Sequence, residues 1–462
     1  MTIHHFLSQS NKAQTITEII TQAKEKNLDN PAILTRDDEY VKSHQEQQFS
    51  KKFQWCPVII KDNILLEGTI SSFGSMMGTD YRAPYSATVV RKLEQAGFLI
   101  IGKATMDEFA MGTTGENSPY PIPHNAYDDN LVAGWSSSGS AVAVAQWLVP
   151  VSLGTDTGWS IRLPAAFNGI VWLKPTYGSV SRYGVQPMAS SFDQVGIFAN
   201  NIQDTKAVFD VIAGQDEYDA TSKNFVFKEK ITSLTGLRIG VPKQYFWEWL
   251  DQEIKTTIDA ALGRYESQGA ILVHLDIPLI DAGVSVYYTL INSEVSSNLA
   301  RFDGLKFWLQ ENTHESKNHK EYLTHIRKKW FGDEVKRRIL LGAHILSARE
   351  YEGLYVKAMN IRTEVTTQFI HHFDHDVDVI MGPTTPFLPW ELEKNIDDPL
   401  ANYLADAYTV IANITGMPAI SIPAWSIEQN KKILPVWLQI MGNHASEYDL
   451  FAVARFYENK EE

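Results

Sequence analysis

Ala87–Gly102, ATVVRKLEQAGFLIIG, reads as a short amphipathic helix stopped by Gly97 and followed at once by a buried apolar strand. Ile258–Leu275, IDAALGRYESQGAILVHL, repeats the pattern around Gly269. Further out, Val58–Ile60 is an apolar strand running directly into Lys61-Asp62-Asn63, and VDVIMGP at 377–383 is another short buried strand. The first segment places Ile16, Ile19, Ile20 and Ala23 at helical spacing and predicts a helix ending near Asn27. Helices alternating with wholly apolar strands predict an α/β fold whose sheet is covered by helices on both faces. No Pro-, Ser- or Gly-rich linker divides the chain, and the more polar stretch from 304 to 335 reads as a surface excursion of the same domain.

Composition narrows the function classes. The 462 residues are 44% hydrophobic and 21% charged, with Lys and Arg numbering 41 against 55 Asp and Glu, for a net charge of −14. That apolar content suffices for a large core and excludes disorder over most of the length. An acidic chain without a basic block is not a free-standing nucleic-acid binder. One cysteine, Cys56, excludes a disulfide framework and a cysteine-ligated zinc site. Beside Pro57 and without a matched histidine, it reads as a packed thiol. HHFDHD at 371–376 lacks a ligand pair spaced for a closed metal site and reads as the end of a solvated helix. AVAVAQWLVPVSLG is too short to span a bilayer and is broken by Gln146 and Pro150. MTIHHFLSQSNKAQ has neither a signal-peptide core nor an Arg-rich amphipathic pattern. The expectation is a cytoplasmic protein with no membrane and no metal.

The chemistry-bearing stretch is Ala133–Arg162, AGWSSSGSAVAVAQWLVPVSLGTDTGWSIR. It holds two turns of small residues: Gly134–Ser140 leads into AVAVAQ, and Thr155–Ser160 leads into IRLPAAF. Backbone N–H groups at such turns can converge on one oxygen, as an oxyanion hole requires. Serines within them are candidate nucleophiles, although ordinary turns use the same residues.

Taken with Lys61, these turns resemble the amidase signature family. Its pattern is a Gly-Gly-Ser-Ser-Gly-Gly-Ser run, then Gly-Thr-Asp-x-Gly-Gly-Ser-Ile-Arg, with a lysine on an upstream strand. Here Lys61 stands in VIIKDN, Ser136 in GWSSSGS and Ser160 in GTDTGWSIR; the serines are 24 apart and Lys61 precedes Ser136 by 75. The resemblance runs from about residue 50 to the C-terminus. It implies a helical segment over 1–50, then one amidase-signature domain over 51–462 built on a large mixed sheet. It also implies Ser160 as nucleophile, Ser136 as bridging serine and Lys61 as terminal base, with the N–H groups of Thr157, Gly158, Trp159 and Ser160 around the oxyanion. The chemistry is coherent. Serine needs a base, and a lysine serves as one only when neutral, a state that burial favours.

Within the family, IGKATMDEFAMGTTGENS, LKPTYGSVSRYGVQPMASSFDQVG, EVSSNLARFDG, FGDEVKRRILLGAHILSAREYE and IDDPLANYLADAYTV are together similar to the glutaminase subunits of tRNA-dependent amidotransferases. That similarity implies glutamine as substrate, held by Tyr287, Arg338 and Asp406; an arginine and an aspartate suit an α-carboxylate and an α-ammonium. It implies B and C partner subunits, with ammonia passing to B for amidation of Glu-tRNA(Gln) or Asp-tRNA(Asn). ATP and magnesium then belong to B, this subunit needs no cofactor, and tRNA is contacted mainly through the partner. The alternatives are a stand-alone amidase, or a catalytically dead structural subunit if the tryptophans in the site are real.

Those tryptophans depart from the family pattern, which has glycine where they stand. Trp135 and Trp159 fall inside the two turns; Trp55, Trp147, Trp172, Trp247, Trp249, Trp308, Trp330, Trp425 and Trp437 fit the same description, and Trp390 is the least clear of the twelve. Glycine is used where φ is positive or backbones approach closely, and tryptophan is the bulkiest replacement. Restoring glycine would raise its count from 28 to 40. The pattern predicts UGA codons, read as glycine in the source and as tryptophan here.

Overall fold

The computed structural model describes residues 1–45, 51–246, 250–305, 316, 318–394, 405–429 and 431–458, and the apolar runs become strands of one mixed sheet. In chain order these are β1 (Ile33–Thr35), β2 (Pro57–Lys61), β3 (Leu99–Ala104), β4 (Val151–Asp156), β5 (Val171–Lys174), β6 (Gln194–Ala199), β7 (Arg238–Pro242), β8 (Ile271–Leu275), β9 (Val379–Pro383), β10 (Ala419–Gln429) and β11 (Lys432–Met441). Their order across the sheet is β1-β3-β2-β4-β6-β5-β10-β11-β9-β7-β8. Parallel pairs β2–β3, β2–β4, β7–β8 and β7–β9 form two wings. Antiparallel pairing through β6, β5, β10 and β11 joins them. β2 to β6 are buried throughout, as covered faces require. The α/β fold with its large mixed sheet is the one expected.

The helices are α1 (Ile3–Leu7), α2 (Lys12–Asp29), α3 (Asp38–Gln45), α4 (Thr88–Ala96), α5 (Ser138–Ala145), α6 (Arg162–Asn168), α7 (Ile202–Ile212), α8 (Gln252–Glu266), α9 (Gly283–Asn298), α10 (His319–Trp330), α11 (Asp333–Ile345), α12 (Lys357–His375), α13 (Val410–Ile414) and α14 (Glu447–Glu458). α2 is capped by the Asn11 side chain, which accepts the Gln14 N–H, and it buries Ile16, Ile19 and Ala23. The N-terminal region also supplies β1, which pairs antiparallel with β3.

β8 corrects an expectation. The apolar run Ile271–Leu275 predicts a buried strand, yet it is an edge strand at the end opposite β1, with Ile271 and His274 exposed. An edge strand has a neighbour on one side only, and an apolar run cannot reveal how many neighbours it will have. HHFDHD does close α12, where His372 pairs with Asp376 at 2.8 Å, and Cys56 is fully buried. Part of the 304–335 excursion, with Trp247, Trp249 and Trp308, lies outside the described residues.

Topology positions the site. β2 and β4 are parallel neighbours, so Lys61 at the end of β2 and Asp156 at the end of β4 emerge at the same sheet edge. α5 and α6 begin just past that edge, each after one of the small-residue turns.

Candidate active site

Lys61 is completely buried. Its Nζ donates to Ser136 Oγ at 2.7 Å and to Ser137 Oγ at 2.9 Å. Ser137 Oγ in turn donates to the Thr155 carbonyl at 3.2 Å, tying the first turn to β4. Burial pushes the Lys61 pKa down to about 7, against the opposing pull of Asp107, Asp156 and Asp193. The neutral form a base requires is therefore accessible near neutral pH. Asp107 is itself raised to about 7 by burial, with the Asn117 N–H and Lys61 drawing it back.

The second turn is held from below. Asp156 accepts hydrogen bonds from the Ile161 N–H at 3.1 Å, from Arg162 Nη2 at 3.0 Å and from the Asn413 amide at 2.8 Å. Arg162 also donates to the carbonyls of Gly158 and Thr409. In a trans peptide, a Gly158 carbonyl turned toward Arg162 directs the Trp159 N–H the opposite way. Among the described residues, the N–H groups of Thr157, Gly158, Trp159 and Ser160 donate no backbone hydrogen bond. Four unspent donors flanking a serine are what an oxyanion cradle needs. The Ser160–Ser136 link is open, since no hydrogen bond joins the two among the described residues while Ser136 is held by Lys61. Nucleophile contacts are commonly looser without substrate.

Above this turn stand the residues expected to bind substrate. Tyr287 lies against Gly158 so closely that a Cβ at 158 would sit 2.6 Å from its ring, so only glycine fits there. The neighbouring Tyr288 donates through Oη to Asp406 Oδ2 at 2.7 Å. Arg338 on α11 is fully buried, its Nε bonded to Glu334 at 2.7 Å and its guanidinium 5.6 Å above the Tyr288 ring. Burial drives the Asp406 pKa well above the usual carboxylate range, opposed by the Tyr288 hydrogen bond and by Arg338. The Trp135 indole N–H also lies close enough to favour the charged carboxylate, although no hydrogen bond closes on Oδ1.

Lys61 and Ser136 are thus joined, and Tyr287, Asp406 and Arg338 gather around Tyr288 beside Gly158, two residues before Ser160. The structure adds three that sequence reasoning passed over: Ser137, Tyr288 and Asp107. Ser137 and Tyr288 are immediate neighbours of residues already chosen, and only their contacts distinguish them. Asp107 lies in MDEFAMG, where a carboxylate amid apolar residues was the available signal. Trp159 and Trp135 are also in the chamber. The Trp159 ring packs 4.8 Å from Tyr287 and 5.7 Å from Tyr288. No group of three or more potential metal ligands occurs among the described residues.

Comparison with known proteins follows the same lines. The family model described as Amidase matches residues 3–451. The glutamyl-tRNA(Gln) amidotransferase A-subunit of Prosthecochloris aestuarii is 44% identical over 409 residues, covering 87% of this chain and 84% of its own. That of Lactococcus lactis subsp. lactis is 44% identical over 405 residues, covering 87% and 82%. The crystal structure of the glutamyl-tRNA(Gln) amidotransferase A-subunit from Thermotoga maritima superposes with a TM-score of 0.82 at 33% identity, covering all of this chain and 94% of that one.

Proposed function

The chain belongs to the amidase family, and from that premise we propose that it is the glutamine-hydrolysing A-subunit of a tRNA-dependent amidotransferase. One observation carries the reading. Lys61 is bonded to Ser136, the Ser160 turn carries four N–H groups uncommitted among the described residues, and Tyr287 lies against that turn with Asp406 and Arg338 on the neighbouring Tyr288.

In this reading neutral Lys61 takes the Ser136 proton as Ser136 takes the Ser160 proton, and Ser160 Oγ attacks the glutamine side-chain amide. The turn's N–H groups stabilise the oxyanion. The relay returns a proton to the departing ammonia, and water then releases glutamate from the acyl-enzyme. Arg338 faces the α-carboxylate and Asp406 the α-ammonium; a charged ligand group offsets the burial that raises the Asp406 pKa.

The ammonia serves a B-subunit, with C completing the complex, for conversion of Glu-tRNA(Gln), Asp-tRNA(Asn) or both. ATP and magnesium act on B, no residue here being assigned to either, and the net charge of −14 suits a chain that leaves tRNA mainly to its partner. No helix among the described residues is long and apolar enough to cross a membrane, and the site of action proposed is the cytoplasm. Glutamine hydrolysis by the chain alone and with B and C tests this reading. Turnover that appears only in the complex supports it. Full amidase activity of the isolated chain would favour a stand-alone enzyme.

A further inference from the structure

We propose that the tryptophans of this chain are glycines in the functional protein, so that the chamber over Ser160 opens to an α-amino acid instead of holding two indoles. The inference rests on the glutaminase reading only for the identity of that ligand.

Helix ends supply the first argument. α4 stops with the Gly97 N–H on the Glu94 carbonyl and the Phe98 N–H on the Leu93 carbonyl, Gly97 having φ +105°. α8 is followed by the same pair of bonds, Gly269 to Glu266 and Ala270 to Tyr265, with φ +98° at Gly269. α5 repeats the device, Trp147 to Val144 and Leu148 to Ala143, but a tryptophan with φ +62° holds the left-handed place. Glycine is the usual residue there because a Cβ is penalised. Trp147 is 53% exposed, so packing does not compensate.

The same conformation recurs at two more tryptophans. Nine non-glycine residues have left-handed φ among those described, and three are Trp55, Trp135 and Trp147, in a chain with 12 tryptophans among 462 residues. Trp135, at φ +44°, directly follows Gly134 at φ +87°. Buried tryptophans ordinarily find an acceptor for the indole N–H, yet those of Trp159, Trp172, Trp390 and Trp437 are buried with none. The two in the site stand where a ligand belongs. Trp159 packs between the Ser160 turn and the tyrosine pair, and the buried Trp135, packed on Phe167 and Trp390, carries an indole N–H that closes no hydrogen bond. A UGA codon yields tryptophan under one decoding and glycine under another, so a single decoding difference accounts for every one of these positions.

Peptide mass spectrometry of the protein isolated from its own cells decides the matter without reference to activity. Glycine at 135, 147 and 159 is the expected result; tryptophan there, or UGG codons in the gene, would overturn the inference. A second test compares the complex carrying the tryptophan chain with one in which all twelve positions are changed, Trp159→Gly and its counterparts. Glutamine hydrolysis should rise at least about a hundred-fold with glycine. Equal activity of the tryptophan chain would overturn the part of the inference that has the indoles filling the chamber. Glycine in the native peptides with no glutamine turnover by the glycine complex would uphold it and remove the glutaminase reading instead.

Discussion

The two halves of the site differ in how far their polar groups are already satisfied. Around Lys61, the hydrogen bonds to Ser136 and Ser137 and from Ser137 to Thr155 are made. Across the Ser160 turn, the buried Tyr287 hydroxyl lacks a partner, Asp406 Oδ1 has no closed bond, and four N–H groups are uncommitted among the described residues. Buried polar groups are normally paired because leaving one unpaired costs about 1–3 kcal/mol. The contacts of Lys61 are therefore in place, with Asp107 Oδ2 and Asn63 Oδ1 left unpaired nearby among the described residues, whereas the other half is shaped for groups that arrive with a ligand.

Removing the base from one half, or the nucleophile from the other, should have the largest effect. In the functional complex, Lys61→Met or Ser160→Ala should lower glutamine turnover by about a thousand-fold or more while circular dichroism stays unchanged. Near-normal ammonia release by either variant would remove the catalytic assignment. In the ligand-shaped half, Arg338→Ala or Asp406→Ala should reduce kcat/KM for glutamine about ten- to hundred-fold, the loss of a charge-assisted contact of about 1.5–3 kcal/mol. A simple amide without α-groups should be affected less, and equal loss on both would point to damaged architecture instead.

The comparison sharpens with pH. Turnover should rise with pH through about 7 as Lys61 loses its proton. The Asp107 carboxylate raises the Lys61 pKa, so Asp107→Asn should move the rising limb to lower pH. A limb that stays in place would show that Lys61 does not set it. Ser137→Ala should have the smallest effect, about five-fold in kcat. It removes one of three hydrogen bonds at Nζ, worth about 1 kcal/mol, while leaving the Ser136 and Thr155 contacts.

The two halves were unequally legible in the sequence. Lys61 ends a short apolar strand, and both serines lie in small-residue turns before helices, so local pattern already marked the base and the nucleophile. Tyr287, Arg338 and the segment holding Asp406 come from widely separated parts of the chain, and only family resemblance joined them. Ser137 and Tyr288 escaped notice because nothing in a sequence separates a contact-making residue from its neighbour. The strand order was equally hidden: pairing of β5 with β10 joins residues 171–174 to 419–421, and hydrophobic periodicity carries no information about partners so distant.

That β5–β10 seam also orders events during synthesis. Domains fold as the chain emerges from its N-terminal end. β2, β4, the two serine turns and Lys61 are all made before residue 163, whereas the strand that joins the two wings begins at Ala419. Pairings so far apart in the chain form slowly. A nascent chain thus carries its nucleophile and base long before it can retain an amino acid, and hydrolytic competence arrives with the last strands rather than the first.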